Sequence, residues 1–126
     1  MKVLYSNEGF EQDSTPQICV EGSNLEYISL IHAIEDAMKN NREGDFLCIP
    51  YNRMNNENIL ILANNKGCSK VIFRFESNIY KMSLDMNIWF EVIDLLKPLT
   101  IKKGYQFIEF DRLQLIGELG LIFRAI

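Results

Sequence analysis

The sequence predicts a single α+β domain: a mixed, mostly antiparallel sheet carrying two packed helices, at about residues 24–40 and 86–97. Three observations lead there. Two stretches repeat apolar residues at helical spacing behind side chains suited to N-caps. The remainder breaks into short β-type runs joined largely by hairpin-length connections. Regular β-α-β alternation, the mark of a doubly wound nucleotide-binding sheet, is missing. With 126 residues, 48% of them hydrophobic and 24% charged, the chain suits one core needing no disulfide or metal, so residues 1–126 are read as one domain.

Lys2 to Tyr5 opens the chain as a strand, and a polar loop runs from Ser6 to Pro16. Residues 17–21 form a second strand, closed by Gly22. Ser23-Asn24-Leu25-Glu26 is a Ser-x-x-Glu capping box, in which the Ser and Glu side chains satisfy backbone N–H groups that the first turn leaves unpaired. Tyr27, Leu30, Ile31, Ile34, Ala37 and Met38 then recur at i, i+3, i+4 and i+7 and make one buried face. Asn40-Asn41 and Gly44 end that helix.

Four β-type runs follow. Residues 46–51 contain Pro50, which marks an edge or an end. Residues 59–63 are an unbroken apolar run suited to a central strand. Asn64-Asn65-Lys66-Gly67 reads as a tight turn between strands, and residues 70–76 alternate before Ile79–Leu84 pairs back. Asp85 caps the second helix and Pro98 helps to end it. Ile88, Trp89, Phe90, Val92, Ile93, Leu95 and Leu96 cover most of that helix, which should be the more buried of the two. Residues 105–110 and 119–125 finish the chain as strands, with Leu113–Ile116 as a further short one. No internal repeat is read in the pattern.

Seventeen carboxylates against thirteen Lys and Arg give a net charge of −4, which disfavours a dedicated nucleic-acid binder. The asymmetry is sharper than the total. Residues 1–36 hold seven carboxylates against Lys2 alone, a local charge of −6, while the rest sums to +2. Such polarity suits an electrostatically steered contact, and equally a solvated acidic face. Cys19, Cys48 and Cys68 are an odd set without a C-x-x-C pair, which points to a reducing compartment. The opening residues are too short an apolar run for a signal peptide, and no run is long enough to span a bilayer. A cytoplasmic protein with no membrane partner is expected.

Residues that could carry chemistry do not assemble into a motif. His32 is the only histidine; Asp36 lies four residues on, as an orienting carboxylate would, but no nucleophile elbow accompanies them. Cys48 sits among Phe46, Leu47 and Ile49, where a small buried thiol is the ordinary reading. Glu109 and Asp111 share a strand face, as the solvated side of an edge strand also does. The cysteines and the lone histidine lack zinc spacing, and no Gly-rich phosphate loop opens either helix. Phe73 and Phe75 alternate like a base-stacking face, yet any half-buried strand shows the same spacing. No catalytic residue, cofactor or metal is assigned.

In size, acidity and strand-rich α+β layout the whole chain resembles bacterial toxin-immunity proteins of contact-dependent and related polymorphic systems. The resemblance implies a non-catalytic inhibitor that covers a basic, nuclease-type toxin domain with an acidic patch. Carried to this sequence, that role falls on Glu8, Glu11 and Asp13 around Phe10, with Glu35 and Asp36 on the first helix. Phe10, flanked by carboxylates, is the aromatic candidate for an interface anchor. The alternatives are a homo-oligomerising adaptor subunit, or a small enzyme using Cys48 or Glu109 and Asp111.

Overall fold

The computed structural model describes residues 1–6, 17–50, 59–74, 79–107, 114–115 and 120–126. Strands β1 (Lys2–Ser6) and β2 (Gln17–Gly22) precede helix α1 (Asn24–Lys39). Strands β3 (Gly44–Pro50), β4 (Ile59–Asn64), β5 (Ser69–Arg74) and β6 (Ile79–Leu84) come next. Helix α2 (Met86–Leu96) runs into a 3₁₀ turn at Lys97–Thr100, followed by β7 (Gly104–Phe107), β8 (Gln114–Leu115) and β9 (Gly120–Ala125). The α+β class holds, with both helices within a residue or so of their expected bounds.

The strands divide into two sheets, ordered β1-β2-β9-β7 and β3-β4-β6-β5-β8, where one sheet was expected. The turn after β4 explains part of the difference. It forms as expected, with Gly67 at φ 78° and the Cys68 N–H donating to the Asn65 carbonyl at 3.0 Å. Yet β4 and β5 are not neighbours, because β6 inserts between them as the parallel partner of β4. A turn signature specifies a local reversal of the chain; it does not specify which strand fills the adjacent place.

The two sheets follow one scheme. Antiparallel pairs β1/β2 and β5/β6 precede the helices, and antiparallel pairs β3/β4 and β7/β9 follow them. Each sheet joins the first pair of one half to the second pair of the other through a parallel contact. In one, Gln17↔Gly120 runs in register to Gly22↔Ala125; in the other, Ile79↔Ile59 runs to Leu84↔Asn64. Gly44 and Gly104, both at positive φ, open the equivalent strands β3 and β7 opposite Asn64 and Ala125. Leaving aside β8, which adds to β5 in the second sheet, the chain is two interleaved β-β-α-β-β units that exchange their second antiparallel pairs. This symmetry of arrangement was not anticipated from the sequence, in which no internal repeat is read.

The capping box at Ser23 forms in full, and Asp85 caps α2 through the Asn87 N–H. Asn24 Nδ2 donates to the carbonyls of Leu99 (2.6 Å) and Lys102 (3.0 Å), tying the start of α1 to the segment after α2. At the other end, Asn41 and Glu43 border the same depression as Met86 and Asn87. The helices therefore run antiparallel. Tyr27, Leu30, Ile31 and Ile34 of α1 join Ile88, Trp89, Val92, Ile93 and Leu96 of α2 in one core with the inner residues of both sheets. Phe90, expected among the covering residues of α2, is instead half exposed, because it points away from that stripe.

Candidate protein-recognition surface

The face of α1 turned from the core carries Leu25, Ile28, Ser29, His32, Glu35, Asp36 and Lys39, all exposed. Their spacing is the complement of the buried set, so the same period that folds the helix also builds its outer stripe. Glu35 and Asp36 stand side by side near its C-terminal end. Asn40 Nδ2 donates to the Asp36 carboxylate at 3.2 Å and to its carbonyl at 3.0 Å, which restrains the carboxylate as the helix ends. Of the residues the sequence assigned to partner binding, Glu35 and Asp36 are placed together. Glu8, Phe10, Glu11 and Asp13 lie outside the described residues.

Between the first half of α1 and strand β3 lies a cleft of about 390 Å³, lined by Met1, Leu25, Glu26, Ser29, Leu30, Ala33, Leu47, Cys48 and Ile49. Its walls are mainly apolar. Glu26 is held there by the Met1 ammonium and by the Ser23 N–H at 3.0 Å, and the ammonium above all keeps its carboxyl below the usual range.

Cys48 is exposed, against the expectation of a buried thiol. The run Phe46-Leu47-Cys48-Ile49 is apolar throughout, so composition could not say which alternate residues face in. Pairing decides it: Ile49 opposes Leu60 and is buried with it, which turns Cys48, opposite Ile61, to the other side. The cleft itself had no signal in the sequence, since it arises where α1 meets a strand from twenty residues further on.

Among the described residues, the candidate chemical groups do not line one common cleft. His32 is exposed on α1 and is not among the cleft residues, whereas Cys48 is. Asp45 pairs with Lys81 at 2.7 Å. Glu109 and Asp111 lie outside the described residues. Among the described residues no three His, Cys, Asp or Glu side chains gather as a metal site would require, and no helix is long and apolar enough to cross a membrane. Compared with protein-family models, curated proteins and solved structures, the chain has no significant match.

Proposed function

We propose that this chain is a non-catalytic protein-recognition domain that docks a basic protein on the outer face of α1. The observation that carries the reading is the placement of Glu35 and Asp36 side by side in solvent, on a helix whose opposite face is anchored in the core. A carboxylate pair on a rigid element is oriented before encounter, so it can steer a cationic partner at little entropic cost. Glu8, Glu11 and Asp13 add carboxylates in the same acidic third of the sequence, with Phe10 as an aromatic anchor. The apolar cleft beside α1 offers a second place for a partner's side chain.

The resemblance to toxin-immunity proteins gives the partner its class: a basic, nuclease-type toxin domain, neutralised by covering its surface. The test is the purified chain against the product of the adjacent reading frame. Tight 1:1 binding with loss of the partner's nuclease activity supports the proposal. No binding to that product, or to any basic protein recovered from the producing cell, overturns it.

A further inference from the structure

Five of the six large apolar side chains that stand exposed among the described residues belong to one end of the molecule: Leu25, Ile28, Ile101, Tyr105 and Ile126. The backbone shows why they gather. Asn24 bonds to the carbonyls of Leu99 and Lys102, the Ile126 N–H donates to the Gly22 carbonyl at 3.0 Å, and Gly104 pairs with Ala125. The start of α1, the turn into β7 and the end of β9 therefore meet. Leu25 and Ile101 protrude furthest, at 75% and 81% exposure.

Among the described residues, the charges left without an ion-pair partner at this end are positive, against a net charge of −4 for the chain. Lys2, Lys102 and Lys103 are exposed, and no carboxylate among the described residues pairs with them. The nearby carboxylates are already taken: Glu26 by the Met1 ammonium, Glu21 by Arg124 at 3.2 Å and Asp94 by Lys97 at 3.1 Å. Among the described residues, Lys2, Lys102 and Lys103 are left as uncompensated positive charge.

We propose that this end docks on an anionic lipid surface, with Leu25 and Ile101 entering the headgroup boundary and Lys2, Lys102 and Lys103 meeting lipid phosphates. Charge complementarity selects an anionic occupant, and composition selects lipid over protein. Protein interface cores favour aromatic residues and Arg and are depleted in Lys. Here the set is aliphatic and lysine-rich, with Tyr105 the lone exposed ring. Protruding aliphatics flanked by lysines whose stems can lie along apolar surface are what an interfacial contact uses. Lying on a bilayer differs from crossing one, so the absence of a spanning helix does not bear on it. The inference does not rest on the Glu35–Asp36 reading, although it uses Leu25, which also lines the cleft beside α1.

The test is co-sedimentation of the intact chain with phosphatidylcholine vesicles, with and without phosphatidylglycerol, at low and physiological salt. Binding should appear with phosphatidylglycerol only and weaken as salt rises. Lys102→Gln with Lys103→Gln should lower the partition coefficient about 25-fold, at about fivefold per lysine charge removed. Leu25→Ser and Ile101→Ser should each lower it several-fold with the lysines intact, while Glu35→Lys with Asp36→Lys, at the far end of α1, should not reduce it. Circular dichroism confirms that each variant is folded. No sedimentation with phosphatidylglycerol at low salt overturns the proposal. So does wild-type binding by the lysine and aliphatic variants, or a dimer in light scattering that Ile101→Ser dissolves, since the patch would then be a self-contact.

Discussion

Tyr27 and Trp89 occupy the same position of their helices, four residues beyond the N-caps Ser23 and Asp85, and each ties its helix to strand backbone. Tyr27 Oη donates to the Val20 carbonyl at 2.6 Å, and Trp89 Nε1 donates to the Ala63 carbonyl at 3.0 Å. Each ring also meets one aromatic edge-on, Phe123 at 6.5 Å and Phe46 at 5.3 Å between centroids. Burial raises the Tyr27 phenol well above its ordinary range, so it stays a neutral donor.

Both rings should therefore contribute heavily to stability. Trp89→Ala removes a fully buried ring and should cost about 3–5 kcal/mol in urea unfolding. Tyr27→Phe keeps the ring and removes one buried hydrogen bond to a carbonyl of the β1-β2-β9 ladder, a loss of about 0.5–1.5 kcal/mol. A Trp89→Ala cost under about 1 kcal/mol would mean the core closes without the indole.

These equivalences also show how far the sequence could be read. Helix periodicity and caps are local, and both helices were legible from Ser23 and Asp85 onward. Sheet order is not local: it depends on which hairpin crosses to which sheet, and no residue of the turn at Asn65–Gly67 encodes that choice. The repeat left traces all the same. Lys2-Val3-Leu4-Tyr5 matches Lys70-Val71-Ile72-Phe73, and Tyr27-x-x-Leu30-Ile31-x-x-Ile34 matches Trp89-x-x-Val92-Ile93-x-x-Leu96. Conservative swaps within the apolar class preserve packing while erasing identity, which hides such a repeat from a search for identical residues. Of the candidate surface, the carboxylates were legible, whereas the cleft and the apolar end needed the tertiary fold.

Thiol reactivity separates the three cysteines by burial. Cys48 is exposed, Cys68 is half buried and Cys19 has no accessible surface. Under native conditions Cys48 should alkylate first and Cys19 only on unfolding, followed by mass spectrometry of timed samples. All three should be free thiols in a sample kept from oxidants. Labelling of Cys19 ahead of Cys48 would contradict the facing of β2 and β3.

Glu26 gives the acid limb a specific contributor. Its folded-state carboxyl sits below the 4.5 of an unperturbed glutamate, first through the Met1 ammonium and then through the Ser23 N–H. A depressed carboxylate contributes stability above its unfolded value, and that contribution disappears as pH falls through the folded value. Glu26→Gln should therefore lower stability at neutral pH and flatten the pH dependence below about 4.5. Because Glu26 is substantially exposed, the effect should be modest and shrink with salt. Parallel pH–stability curves for the two proteins would show that the ion pair is not maintained in solution.

If Glu35 and Asp36 steer a basic partner, Glu35→Lys with Asp36→Lys reverses the local field and should slow association by about tenfold or more at low salt. Dissociation should change less, since rim charges act mainly before contact, and physiological salt should narrow the gap as screening falls to about 8 Å. Stability should hold, because both side chains are exposed and neither enters an ion pair among the described residues. Phe10→Ala should show the converse signature, faster dissociation with association unchanged, if that ring anchors the complex. Stopped-flow or surface-plasmon kinetics with the adjacent gene product separates the two. A double reversal that leaves both rates untouched would reduce the pair to a solubility feature. The docking face would then have to be sought elsewhere, first at the cleft between α1 and β3, where Leu30→Asp fills the wall with charge and Ala33→Glu, half buried at the rim, does so without breaching the core.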